Sequence, residues 1–377
     1  MGAAGHGRLG PAAGGGGAAR ADGVRGQGGL GPGTAPRTRQ RGRQRACCPA
    51  ARRACCEGGG ECGCRTVAAR SGAQRLHVEE LAFQEAGDGL PPLGCHALVF
   101  AGGWSEEECR RTVGLSHELG YDIVEVPLLN PGTVDAAMTK AVFEEFGVAP
   151  TTSLGLSEGA DVNSEDGETV ANGEALLDRA LAVTHQIGAE YMVGVIYSAL
   201  KKYPGPCSPT ARRNVVRAMR SLADKAADRN VTLGLEVVNR YETNVVNTAG
   251  EGLALLAEID RPNVALHLDT YHMNIEESSL SNAIRLAGDK LGYVHIGESH
   301  RGYLGAGNVD FKEVFRALVA AGYAGPMTFE SFSSEVVSPD LSNALCVWRN
   351  LWSDSVDLAG AANNYMAQEW IAASKSV

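Results

Sequence analysis

From Gly94 onward, short apolar runs alternate with longer segments in which apolar residues recur at helical spacing. The short runs read as strands and the periodic segments as helices. CHALVFA supplies the first strand, and a helix opens at Ser105 in SEEECRRTVGLSHELG, where Glu108 completes a capping-box signature. DIVEVPL, APTTSLGL and EYMVGVIY supply the next three strands, separated by helices around VDAAMTKAVFEEFG and GEALLDRALAVTHQIG. A polar loop, SEGADVNSEDGET, follows the third strand, and KKYPGPCSPT follows the fourth and leads into a helix from Ser208. Strands five to eight are VTLGLE, VALHLD, LGYVH and PMTFE, with helices around GEGLALLAEI, SNAIRLAG and FKEVFRALVAAG between them. Helical material from LSNALCVWRN to QEWIAAS follows strand eight and closes the ring. Eight such alternations predict an α/β fold, a (β/α)8 TIM barrel over residues 89–377. A doubly wound open sheet is the competing arrangement, but no GxGxxG follows the first strand.

The N-terminal part is a different material. Up to about residue 75 it is Gly, Ala and Arg with almost no large apolar side chain, as in GPAAGGGGAARADG and PRTRQRGRQR. Such a segment cannot bury enough surface to offset its backbone entropy. Residues 1–88 are therefore expected to be a disordered Gly/Ala/Arg-rich leader. An organelle-targeting role is the functional alternative, favoured by many Arg and few acids and disfavoured by abundant Gly and scarce Ser. A nucleic-acid-binding arm fits less well.

Charge separates the two parts. The net charge is −10, yet residues 1–75 hold thirteen Arg and three acidic residues, leaving 21 basic against 41 acidic residues for the rest. An acidic body argues against nucleic acid as a partner and suits a site that gathers carboxylates around a cation. Cys47, Cys48, Cys55, Cys56, Cys62 and Cys64 lie in the leader, and their adjacent pairs do not match zinc-ligand spacing. Cys95, Cys109, Cys207 and Cys346 are scattered through the body and fit a reduced compartment. No apolar stretch is long enough to cross a bilayer and the N-terminus lacks a secretory apolar region, so the expectation is a cytoplasmic protein with no membrane partner.

Chemistry concentrates at the ends of the last four strands, which finish on Glu236, Asp269, His295 and Glu330. Strand C-termini form the active-site rim of this kind of barrel. Three carboxylates and an imidazole favour Mn2+, Mg2+ or Co2+, with zinc also compatible. Beyond these strand ends lie Glu242 in EVVNRYETN, His272 in DTYH and Arg301 in HIGESHRGYLGAG. Arg301 and His272 can donate to substrate oxygens, and Glu242 can accept from hydroxyls.

GLEVVNRYETNVVN, LHLDTYHMNIEE, VHIGESHRGYLGAGNVDF and MTFESF resemble the ketose 3-epimerases, the D-tagatose 3-epimerase and D-psicose (D-allulose) 3-epimerase group of the xylose-isomerase-like barrels. The resemblance runs from about residue 92 to the C-terminus. It implies metal ligation by Glu236, Asp269, His295 and Glu330, with Mn2+ the first choice and Co2+ or Mg2+ as alternatives. Glu236 and Glu330 would also be the acid/base pair, inverting carbon 3 of a free ketose through a cis-enediolate. Glu242, His272 and Arg301 would bind the sugar, and the chain would be a homodimer or homotetramer. One departure is the first strand, where relatives often carry an aromatic residue and this chain reads GCHALVFAGGW. There His96 either contacts substrate or packs in the barrel mouth. The competing functions are a hydroxypyruvate isomerase, which tends to lack a histidine where His295 stands, and a metal-bound sugar-binding barrel without turnover. A DNA-repair enzyme of the endonuclease IV type would need more histidines and a basic face.

Overall fold

The computed structural model describes residues 89–376. The leader and its cysteines, with the expectations attached to them, lie outside the described residues. Eight parallel strands close into a barrel in chain order, with β1 paired to β8. They are β1 (Leu93–His96), β2 (Ile123–Pro127), β3 (Ala149–Ser153), β4 (Tyr191–Gly194), β5 (Thr232–Val237), β6 (Val264–Asp269), β7 (Leu291–Ile296) and β8 (Met327–Phe329). Helices α1 (Glu106–Glu118), α2 (Ala136–Phe146), α3 (Gly167–Gln186), α4 (Pro209–Ala227) and α5 (Ala249–Ile259) follow the first five strands. The short α6 (Thr270–Glu276) and then α7 (Leu280–Ala287) follow β6, and α8 (Phe311–Ala320) follows β7. After β8 come α9 (Pro339–Ala344) and α10 (Ser355–Ser374).

Local chemistry explains the boundaries. Ser105 and Glu108 make the expected capping box of α1, and Thr248 with Glu251 makes a second one on α5. Ser208 caps α4, with Pro209 at its first position. The strands read as apolar runs because both faces are buried. Leu233 and Leu235 of β5 share an apolar cluster with Val215, Met219 and Leu222 of α4 and with Leu255 and Ile259 of α5. Each such leucine contributes about 1.5–3 kcal/mol by leaving water. The ring is sealed by α10, whose Ala359 carbonyl accepts from the Tyr121 hydroxyl at 2.7 Å and whose Trp370 indole donates to the Gly89 carbonyl at 3.1 Å.

Four details depart from the sequence expectation. The first run is strand only to His96; Ala97–Val99 form a buried 3-10 turn, because the His96 ring accepts from the Leu98 amide and bends the chain. In the third run, only Ala149–Ser153 is strand. In the fourth, β4 ends at Gly194, whose φ is +107° and where a Cβ would stand 2.5 Å from the Leu154 carbonyl oxygen. The helical material after β8 is split into α9 and α10 by an irregular stretch. Among the described residues no helix is long and apolar enough to cross a membrane.

Candidate active site

Alternation along each strand turns one set of side chains into the barrel, and near the C-terminal ends this set is polar. Glu236 on β5, Asp269 on β6, His295 on β7 and Glu330 one residue beyond β8 are all buried. Each offers a ligand-type atom, and these atoms lie within 4.8 Å of one another. The His295 Nδ1 is 3.4 Å from Glu236 Oε1 and 3.6 Å from Glu330 Oε2. An octahedral ion with bonds of about 2.1 Å spaces its ligands about 3 to 4.2 Å apart, so the cluster fits one divalent cation. His295 Nδ1 is buried without a hydrogen-bond partner, and Asp269 Oδ2 and Glu330 Oε2 are buried with the Arg301 guanidinium as their nearest positive charge. Buried carboxylates are costly unless paired, and one guanidinium does not balance three of them, so the cluster has room for a further positive charge.

Two of the four candidate ligands, Asp269 and His295, are aimed by a bond on the other side. Asp269 caps α6, its Oδ1 accepting from the Tyr271 amide at 2.7 Å, which leaves Oδ2 facing the cluster. The His295 Nε2 lies 2.8 Å from Glu125 Oε2. As the carboxylate only accepts, Nε2 carries the proton and Nδ1 is turned to the cluster.

The loops supply the flanking groups. His272 on α6 takes the Asn239 backbone N–H on its Nδ1 at 3.2 Å, so its Nε2–H is the donor offered to the site, 3.5 Å from Asp269 Oδ2 and 3.8 Å from Glu236 Oε1. Asn239 also donates to Glu242 Oε1 at 2.7 Å, which holds that half-buried carboxylate at the rim. Arg301, at φ +58°, stacks its guanidinium 3.9 Å from the Tyr271 ring centroid. Its Nη1 lies 2.6 Å from Glu330 Oε2 and 3.2 Å from Asp269 Oδ2. Gly297 leaves room for this placement, since a Cβ there would stand 2.8 Å from Arg301 Nη1.

His96 belongs to the same mouth. Its Nε2 lies 3.4 Å from Ser153 Oγ, 3.5 Å from Glu125 Oε1 and 4.0 Å from Glu330 Oε1, and Phe332 packs edge-on against its ring at 5.7 Å. Of the other aromatic side chains of that segment, Phe100 is buried in the core and Trp104 donates to Thr139, so the ring beside His96 comes from the far end of the chain. All eight residues named from sequence are thus neighbours, and all but Asp269 line a cavity of about 400 Å³.

Electrostatics divide the carboxylates. Burial pushes Glu236 up to about 8 against the pull of His295, and lifts Asp269 to about 6 against that of Arg301. Glu330 is also penalised by burial, but Arg301, His295 and His96 together hold it below its ordinary value. Burial alone would lower His295, yet Glu125 and Glu330 outweigh it and raise that imidazole well above its usual range. His272 is driven well below by burial, with Arg301 adding to the effect, so it stays neutral and keeps the donor on Nε2.

Two inward-facing residues were not singled out from sequence. Glu125 lies inside the apolar run DIVEVPL and is fully buried. His267 lies two residues before Asp269, with its ring edge-on to His295 at 4.1 Å and neither nitrogen hydrogen-bonded. With Glu236 and His295 it forms a second group of potential ligands. The available signal was a charged or imidazole side chain within an apolar strand, in step with the barrel interior.

Comparison with known proteins places the chain in a family. The family described as xylose isomerase-like TIM barrel matches residues 113–351. An L-ribulose 3-epimerase of Methylomonas sp. (strain DH-1) is 55% identical over 277 residues, covering 74% of this chain and 97% of the relative. A ketose 3-epimerase of Arthrobacter globiformis is 50% identical over 274 residues, covering 73% of this chain and 95% of the relative. The crystal structure of a D-allulose 3-epimerase from Methylomonas sp. in complex with D-allulose matches with a TM-score of 0.73 and 55% identity, over 74% of this chain and 97% of that one. Fold and sequence define a xylose isomerase-like TIM barrel with a cluster of potential metal ligands at its mouth. Within that class the chain belongs to the ketose 3-epimerase family, a family of carbohydrate epimerases.

Proposed function

We propose that this protein epimerises free ketoses at carbon 3 by proton transfer between Glu236 and Glu330, with a divalent cation, Mn2+ first, held by Glu236, Asp269, His295 and Glu330. The observation that carries the reading is the placement of the two glutamates. They come from β5 and from just beyond β8, three strands apart around the barrel, and their carboxylates flank the His295 Nδ1 at 3.4 and 3.6 Å. A sugar carbon above His295 would have one carboxylate on each face. When bound there, the cation supplies Lewis acidity to the carbon 2 carbonyl and so makes the carbon 3 proton easier to remove.

The chain's own groups do the rest. One glutamate takes the carbon 3 proton and the other returns a proton to the opposite face; for the reverse reaction the roles exchange. The His272 Nε2–H and the Arg301 guanidinium donate to the sugar oxygens, and Glu242 accepts from a hydroxyl farther out. The names of the relatives support ketohexoses of the D-fructose/D-allulose type and the ketopentose L-ribulose as substrates. D-tagatose/D-sorbose belongs to the same chemistry. A homodimer or homotetramer is the assembly proposed by family analogy.

The test is product analysis with Mn2+-loaded protein on D-fructose, D-tagatose, L-ribulose and hydroxypyruvate. Carbon 3 epimers of the ketoses are expected. Aldose products, or turnover of hydroxypyruvate alone, would place the protein among the isomerases instead.

A further inference from the structure

We propose that Glu125 is a positioning residue that holds the His295 ring with Nδ1 presented to the cation, an inference that rests on reading the acid cluster as a metal centre. Glu125 lies in the middle of β2, fully buried beneath the rim. Its Oε2 accepts from His295 Nε2 at 2.8 Å and from the Tyr293 hydroxyl at 2.8 Å. That hydroxyl is itself located by Thr151 at 2.9 Å and Thr328 at 2.8 Å, so side chains from β3, β7 and β8 fix one carboxylate oxygen on β2.

The consequence is a fixed tautomer. With the Nε2 proton committed to Glu125, the neutral imidazole must show its Nδ1 lone pair to Glu236 and Glu330. A lone pair facing two carboxylates is unfavourable unless a cation or a second proton stands between them. A carboxylate behind an imidazole also raises the basicity of the nitrogen that faces the metal. The other oxygen, Oε1, has no hydrogen-bond partner and lies 3.5 Å from His96 Nε2. Packing does not explain a carboxylate here, because a buried charge carries a desolvation penalty that an apolar side chain of similar size avoids.

Isothermal titration of Mn2+ into apo-protein tests the inference, with the apo thermal midpoint as the check on folding. Glu125→Gln keeps an acceptor but loses the charge, and is expected to weaken Mn2+ binding about 10-fold; Glu125→Leu removes the acceptor and is expected to weaken it about 100-fold. At saturating Mn2+ the sugar KM of Glu125→Gln is expected to stay near wild type. Unchanged Mn2+ affinity in a folded Glu125→Gln overturns the inference, as does a changed KM with unchanged affinity. If Glu125→Leu fails to fold, 15N-histidine spectra of wild type loaded with diamagnetic Zn2+ decide the matter. A proton on Nε2 and the ion on Nδ1 of His295 are expected; the opposite arrangement overturns the inference. Wild type that takes up no Mn2+ removes the metal-centre reading and the inference with it, whereas tight binding indifferent to Glu125 removes the inference alone.

Discussion

The two halves of the barrel mouth are made of different materials. From β5 to β8 the rim carries Glu236, Asp269, His272, His295, Arg301 and Glu330, each tied to its neighbours by short polar contacts. From β1 to β4 the cavity wall is mostly non-polar, with Leu98, Leu129, Leu154, Leu156 and Leu200 facing the same space and His96, Ser153, Ser157 and Glu158 as its polar groups. One half holds charge at fixed positions and the other offers shape. Chemistry should therefore be sensitive to single atoms on the β5–β8 side, while changes on the β1–β4 side should move substrate preference and leave the proton transfer alone.

The largest effects belong to the charged half. Glu236→Gln or Glu330→Gln is expected to lower kcat by about 10³–10⁴-fold in steady-state assays at saturating metal, since each removes a proton-transfer group. His272→Ala and Arg301→Lys are expected to lower kcat/KM by about 10–100-fold, mostly through KM. Arg301→Lys keeps the charge but loses the planar fork and the stacking on Tyr271. An Arg301→Lys enzyme with wild-type KM would show that this side chain does not grip substrate.

A smaller effect concerns stability in the absence of metal. Glu236 rises from an ordinary 4.5 to about 8 on folding and Asp269 from 3.8 to about 6, so the unfolded chain releases these protons first as pH increases. Their contribution to apo stability is therefore present below about pH 4 and lost as the pH rises towards 8. Denaturant titrations in EDTA should show this slope, and Glu236→Gln should flatten it. Metal binding requires the ionised carboxylates, so Mn2+ affinity should rise over the same interval.

The smallest effect is expected on the leucine side. Leu129 is more than half exposed, so Leu129→Ala should leave the thermal midpoint in place. It should alter the KM ratio of a ketohexose to a ketopentose by a few-fold at constant kcat. A large fall in kcat there would erase the proposed division between the halves.

The same division governs what could be read from sequence. Glu236, Asp269, His295 and Glu330 were legible because each interrupts an apolar run at its C-terminal end, where the fold places its chemistry. Glu125 was hidden because it sits inside such a run, and only the closed barrel shows that its side chain reaches His295 on β7. His267 was hidden for the same reason, one inward position below Asp269. The helix α6 was missed because it starts on the residue after β6, with Asp269 acting as its cap, and seven residues are too few to establish a period. On the other side, the run ALVF looked like continued strand, and the bond from the Leu98 amide to His96 that turns it aside is not a feature of hydropathy.

The claim that two opposed carboxylates move one proton is tested most directly by carbon 3 exchange in D2O, followed by NMR at saturating Mn2+ for wild type, Glu236→Gln and Glu330→Gln. Wild type should deliver an epimer carrying deuterium at carbon 3. Each variant should retain slow exchange from one epimer only, opposite for the two variants, without inverting the centre. Full epimerisation by either variant, or wild-type product with no deuterium at carbon 3, would contradict the two-carboxylate account.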